Sequence, residues 1–269
     1  QKSMEDYIKL QAMASKLDEH TYDVFVRENL SETTTIKQLS DKDNQTALLQ
    51  GIEEFKQEKV NQAMVANNRI NELVNPDNGE SLKQHFINLN ELADNLNKSY
   101  KVYKDIETKE ADNSLSEIEK NYKDKYKEQY YRAVEEYSNK SIAVSDYIKV
   151  LGSNLENFDR TKTEVENEFK AIGEARDICL QEYCTNGEET VLDNDDKLSK
   201  QLSEINPENI CNDISEYLDI NKTEDGFKID LKLEVDIEVS HEECNKVLKE
   251  IEEERLNSKD KDDDYELDL

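Results

Sequence analysis

Four cysteines lie in the last third of the chain, at Cys179, Cys184, Cys211 and Cys244. Oxidised, they would make two disulfides in one of three pairings, and that chemistry belongs to an oxidising compartment. Reduced, they are four separate thiols, two of them on apolar helix faces. Zinc fits less well, because the gap between Cys179 and Cys184 is wider than a usual ligand pair and no histidine pair accompanies it. Five Asn-X-Ser/Thr acceptors for N-linked sugar, at Asn29, Asn44, Asn97, Asn139 and Asn221, lean toward the same secreted or surface setting.

Catalytic chemistry has little to work with. The three histidines, His20, His85 and His241, fall on different predicted elements and in no motif. No glycine-rich phosphate loop, nucleophile elbow or His-Glu-x-x-His pair is present. Carboxylates are everywhere in a chain with 64 acidic residues, so their pairing carries no information. The expectation is a protein that is not an enzyme and uses no cofactor or metal.

A net charge of −29 argues against a basic nucleic-acid surface and against adhesion to anionic lipid. It permits a basic protein partner. No apolar run approaches the length of about 20 residues that spans a bilayer. No N-terminal signal pattern is present, and a chain beginning at Gln1 is expected to be processed or trimmed.

The elements follow from composition and spacing. There are 6 glycines and 2 prolines, where average usage would give about 19 and 13. So few breakers mean few turns and long elements. Tyr7, Leu10, Ala14 and Leu17 predict a first helix over about Ser3 to Arg27, with a weak candidate strand at Tyr22 to Val26. Ile52, Phe55, Ala63, Ala66, Ile70 and Leu73 predict a second from about Gln45 to Val74, stopped by Asn75-Pro76 and Gly79. A third begins near Ser81, with Leu82, Phe86, Leu89, Ala93, Leu96, Tyr100 and Tyr103 in strict 4-3 alternation, a coiled-coil or bundle seam. The fourth spans about Ser114 to Tyr183. Its seam runs from Tyr130 through Ala133, Tyr137, Val144, Ile148, Leu151, Leu155, Phe158, Lys162, Val165 and Phe169 to Ile172, and Gly152 or Gly173 could bend it. A polar stretch, Glu188 to Lys200, then leads to a helix capped by Asn206-Pro207 with Ile210, Ile214, Tyr217 and Leu218 on one face. Ser240-His241-Glu242-Glu243 is a capping box for a last helix with Cys244, Val247, Leu248 and Ile251 inward. Eight tyrosines cluster on the third and fourth helices: Tyr100, Tyr103, Tyr122, Tyr126, Tyr130, Tyr131, Tyr137 and Tyr147. They either fill the seam or form a binding face.

One segment departs from helix altogether. Phe227, Ile229, Leu231, Leu233, Val235, Ile237 and Val239 alternate without error with charged residues. That predicts a single long strand with one apolar and one charged face. At roughly 3.3 Å per residue it would run about 40 Å. Its partner is open: a strand elsewhere in the chain such as Tyr22 to Val26, a second copy about a two-fold axis, an incoming partner strand, or a membrane hairpin.

The fold expected is mainly α: an elongated antiparallel helical bundle or coiled coil (1–187), a small C-terminal α/β module with the one long strand and the cysteines (188–256), and a disordered acidic tail (257–269). The function expected is that of a non-enzymatic protein-binding protein, secreted or surface-displayed, with the terminal module as recognition element and a homodimer among the options. The alternative is an intracellular coiled-coil scaffold or acidic chaperone-like adaptor for a basic protein.

Overall fold

The computed structural model describes residues 42–182 and 189–263, with side chains over 53–170 and 197–259. It is mainly helical, with a β-hairpin near the C-terminal end. In chain order the elements are α1 (Lys42–Val74), α2 (Leu82–Ala111), α3 (Glu117–Glu182), α4 (Glu189–Glu204), α5 (Glu208–Asn212), β1 (Leu218–Thr223), β2 (Gly226–Leu231) and α6 (His241–Asp263). The expected first helix, the stretch Tyr22 to Val26, Asn29, Cys184 and the end of the tail lie outside the described residues. So do the side chains of Asn44, Ile52, Ile172 and Cys179. Among the described residues no helix is long and apolar enough to cross a membrane.

The described chain divides into two compact units, each assembled from separate stretches: 42–72 with 153–210, and 73–152 with 211–263. This differs from the linear order of bundle, then module, then tail.

In the first unit, Val60 and Ala63 of α1 pack with Val165 and Phe169 of α3 and with Leu198 and Leu202 of α4, and Ile205 closes the cluster. Burial of such apolar stripes is what holds a helix that propensity alone would leave marginal. The polar stretch expected after residue 188 is therefore helix. Leu198, Leu202 and Ile205, at steps of four and three, are its apolar stripe. Lys162 is the one charged residue in the α3 seam. It is tolerated because its stem packs and its Nζ donates to the Ile205 carbonyl at 2.9 Å, a free acceptor just beyond α4. Lys59 pairs with Glu168 at 3.3 Å alongside.

In the second unit, Leu82, Phe86, Leu89, Ala93 and Leu96 of α2 are all buried, as their 4-3 spacing requires. Ser81 caps α2, its Oγ accepting from the Gln84 N–H at 3.2 Å. Leu96 meets Tyr130, Ala133 and Val134 of α3 and Cys244 and Val247 of α6 in one cluster, to which Ile237 and Val239 also contribute. Val134 is completely buried beside the seam residue Ala133 because α3 is covered from two directions here. Ser240 Oγ accepts from the Glu243 N–H at 3.1 Å, so α6 starts where the capping box places it. It then runs on to Asp263, which makes 257–263 helical rather than disordered tail. Once the packed turns have nucleated a helix, each added residue costs little.

Candidate functional site

The segment from Phe227 to Val239 holds the unusual geometry of the second unit. It is not one long strand. Only Gly226–Leu231 forms β2, and it pairs antiparallel with β1, from Leu218↔Leu231 to Thr223↔Gly226. The missing partner is thus Leu218–Thr223, reached through a tight turn at Glu224-Asp225 and Gly226, whose φ of 134° suits glycine. Sequence reasoning placed Tyr217 and Leu218 on a helix face. The helix instead ends at Asn212, and the chain turns through Ile214 before entering β1. The available signal was Leu218 and Ile220 alternating with polar residues ahead of Asp225-Gly226, the pattern of a hairpin arm.

The register fixes which backbone groups face which way. The Lys232 N–H donates to the Tyr217 carbonyl at 2.7 Å. In an antiparallel pair, alternate residues exchange these bonds, so Asp230 faces Asp219 and Lys228 faces Asn221 through the backbone. The even-numbered residues of β2 therefore point their N–H and C=O groups toward β1.

Beyond Lys232 the ladder continues without a strand. Asn90 Oδ1 accepts from the Glu234 N–H at 3.1 Å. Asn97 accepts from the Glu238 N–H at 2.9 Å and donates to the Asp236 carbonyl at 2.7 Å. Asn90 and Asn97 lie one heptad apart on α2, so both present to the same side. They are 9% and 8% exposed, and a buried amide of this kind demands partners. The even residues 234, 236 and 238 are thus served by two asparagine side chains where β1 has run out. A bend at Glu234-Val235 fits the segment to the helix.

Side-chain alternation holds throughout. Phe227, Ile229, Leu231, Leu233, Val235 and Ile237 are half-buried and Val239 is buried, while the charged residues between them are exposed. Ile229 lies against α3 at Gly152, where an added Cβ would stand 3.6 Å from Ile229 Cδ1. Gly152 lies within the helical span of α3, Glu117–Glu182.

The other edge is open. The odd-numbered residues of β2 direct their backbone groups away from β1, the sheet has two strands, and among the described residues no backbone bond is made by Leu233, Val235 or Ile237. The result is an open edge along β2 that continues beyond Leu231, unpaired and through the bend at Glu234-Val235, to Ile237, with a charged outer face reading Lys228, Asp230, Lys232, Glu234, Asp236, Glu238. Lys232 pairs with Asp219 at 2.8 Å, and Lys101 with Glu238 at 3.2 Å.

The remaining candidate residues fall elsewhere. Cys244 is buried in the α2–α3–α6 cluster, where burial and the neighbouring Glu243 push its thiol above the ordinary value. Cys211 is half-buried, and no disulfide is formed among the described residues. Of the glycan acceptors, Asn139 and Asn221 are exposed, whereas Asn97 commits both ends of its amide to backbone. Tyr100, Tyr103, Tyr130 and Tyr131 form a ring cluster with centroids 4.8–6.5 Å apart, Tyr103 stacked on Tyr130 and Tyr131 edge-on to both, and Tyr131 donates to Glu250 of α6. Burial raises the Tyr103, Tyr130 and Tyr131 hydroxyls above the ordinary value, Tyr130 and Tyr131 most. Tyr122, at the start of α3, is exposed.

His85 forms a small polar cluster that the sequence did not signal. Its Nδ1 sits 2.7 Å from Lys140 Nζ and 3.5 Å from Glu80 Oε2, and its ring lies 4.7 Å from that of Tyr147. Burial first and Lys140 second hold its pKa below the ordinary value, with Glu80 opposing. The ammonium thus donates to a neutral imidazole.

No protein-family model matches the chain, and no curated protein or solved structure matches it.

Proposed function

We propose that this chain is a non-enzymatic protein-interaction protein whose recognition element is the open backbone edge from Phe227 to Ile237. The observation that carries the reading is the asymmetry of that segment. One edge is bonded, by β1 and then by Asn90 and Asn97 at the Glu234 and Glu238 N–H groups and the Asp236 carbonyl, while the other has no partner among the described residues. An extended edge of this kind recruits another strand through main-chain hydrogen bonds, and the alternating side chains set specificity. No proline or glycine between Phe227 and Val239 blocks such pairing.

The test is amide exchange on the full chain titrated with a complementary peptide. The peptide alternates valine with lysine, lysine, lysine, glutamate, lysine and glutamate, in that order, to match the outer charges in antiparallel pairing. Slowed exchange at Ile229, Leu231 and Leu233, with Lys228 and Asp230 unchanged, supports the reading. Unchanged exchange at millimolar peptide removes it.

The setting remains a matter of proposal as well. Secretion or surface display accords with the exposed acceptors Asn139 and Asn221. The thiol of Cys244, buried in the cluster, favours the intracellular scaffold instead. Intact mass under non-reducing conditions separates the two by counting disulfides and sugars together.

A further inference from the structure

The open edge is self-complementary in charge. Paired antiparallel with an identical edge about a two-fold axis through Leu231, each Lys228 faces a Glu234 of the second copy, and each Asp230 faces a Lys232. All four outer contacts are between opposite charges. Like charges meet only at Glu224 and Glu238, at the ends, where one partner sits in the turn. Other registers that keep the odd backbone groups face to face do worse. Centred on Leu233, four contacts are also favourable, Lys228–Glu238 and Lys232–Glu234, but Asp230 meets Asp236 twice inside the pairing rather than at its ends. Centred on Ile229, only the Lys228–Asp230 contacts are favourable and Glu224 meets Glu234. Registers centred on an even residue set Lys232 against Lys232 or Asp230 against Asp230.

We infer that the occupant of this edge is a second copy of the chain, joined as a four-stranded antiparallel ribbon centred on Leu231. This rests on the reading that the open edge is the binding surface. Three features support the geometry. The odd-numbered edge residues direct outward N–H and C=O groups that have no partner among the described residues. The apolar side chains of both copies stay on the face already turned to α3 at Ile229. A two-fold pairing is closed, so the edge is consumed and no filament grows. The net charge of −29 per chain opposes association. Near physiological salt, though, charges beyond about 8 Å are largely screened, and the directly facing pairs decide.

The experiment is a charge swap across the axis, read by sedimentation of the full chain at physiological salt with amide exchange in parallel. Lys228 and Glu234 are six residues apart along one extended segment, so they meet only between copies. Lys228→Glu alone and Glu234→Lys alone each replace two attractive pairs with two repulsive ones and should weaken the dimer about ten-fold or more. The double variant K228E/E234K restores the attraction and should dimerise like the parent. Exchange at Ile229, Leu231 and Leu233 should slow with concentration in the parent and the double variant only. A parent that stays monomeric at every concentration overturns the inference, and so does a dimer indifferent to the single swaps. A monomeric parent whose edge is nevertheless protected by the alternating peptide would sink the dimer and leave the binding edge standing. Failure of both would remove the edge itself.

Discussion

Asn97 holds Glu238 by its backbone: the amide N–H of Glu238 donates to Asn97 Oδ1 at 2.9 Å, while the same side chain donates to the carbonyl two residues earlier at 2.7 Å. A primary amide has a donor and an acceptor spaced like those of a peptide unit, so it completes a ladder that no strand supplies. Replacing it with alanine strands an N–H and a C=O at a part-buried site. Asn97→Ala should therefore cost about 2 kcal/mol, from two lost bonds and the groups left unpaired. Asn97→Asp keeps the acceptor, loses the donor and sets a carboxylate against the Asp236 carbonyl, so it should not rescue. Asn90→Ala, with one bond, should cost about half as much. Urea unfolding measures the stability, and faster exchange at the Glu238 amide, with the β1–β2 ladder unaffected, shows that the loss is local.

The same geometry sorts the glycan acceptors. The nitrogen that would carry sugar at Asn97 is the one donating to the Asp236 carbonyl. Asn139 and Asn221 are exposed on α3 and β1. Expressed through a secretory pathway, the folded chain should carry sugar at Asn139 or Asn221 and none at Asn97, as peptide mass mapping would show. Full occupancy at Asn97 in a folded, soluble product would contradict the docking of 232–239 on α2.

Helix seams were the legible part of this chain, because a 4-3 repeat is a one-dimensional signal. Leu82, Phe86, Leu89, Ala93 and Leu96 could be placed on one buried face from spacing alone. So could the cap at Ser240 and the helix start near Ser81, since each is decided within one turn. The strand's period was equally plain, and its alternation of burial from Phe227 to Val239 holds. What spacing could not reveal was the partner. β1 is short and follows a helical stretch, so Tyr217 and Leu218 read as the end of a helix face. Asn97 read only as a sugar acceptor, and Asn90 carried no signal at all. Their role depends on a segment about 140 positions away, and period carries no information about such a contact. The same limit hid His85 and Lys140, which are 55 residues apart and meet only when α2 packs on α3.

His85 gives a pH dependence with a definite sign. Its folded pKa lies below 6.5 because burial and the Lys140 ammonium disfavour the imidazolium more than Glu80 favours it. The unfolded chain, with an ordinary histidine, therefore binds the proton first as pH falls. The contribution of this site to stability is complete above about 6.5 and is lost progressively as pH drops toward the folded value. Lys140→Met should raise the His85 pKa and Glu80→Gln should lower it further, both read by NMR titration of the ring. His85→Gln should flatten the decline of stability in that window relative to the parent. A His85 pKa above the ordinary value would reverse the assignment of Lys140 as donor.

Gly152 supplies the most discriminating test of how the hairpin sits on α3. Glycine inside a helix costs up to about 1 kcal/mol against alanine through backbone entropy. The Cβ that alanine would add lies 3.6 Å from Ile229 Cδ1, an ordinary van der Waals contact. The space therefore permits the methyl, and the helix gains from it. Gly152→Ala should stabilise the protein by roughly 0.5–1 kcal/mol. Gly152→Leu exceeds the gap, so it must displace Ile229 and with it β2. Its signature should be a loss of stability together with faster amide exchange in β1 and β2, while α2 and the start of α3 keep their protection. Alanine destabilising to the same degree as leucine would mean that Ile229 packs closer to α3 than 3.6 Å and that the hairpin is wedged there rather than resting.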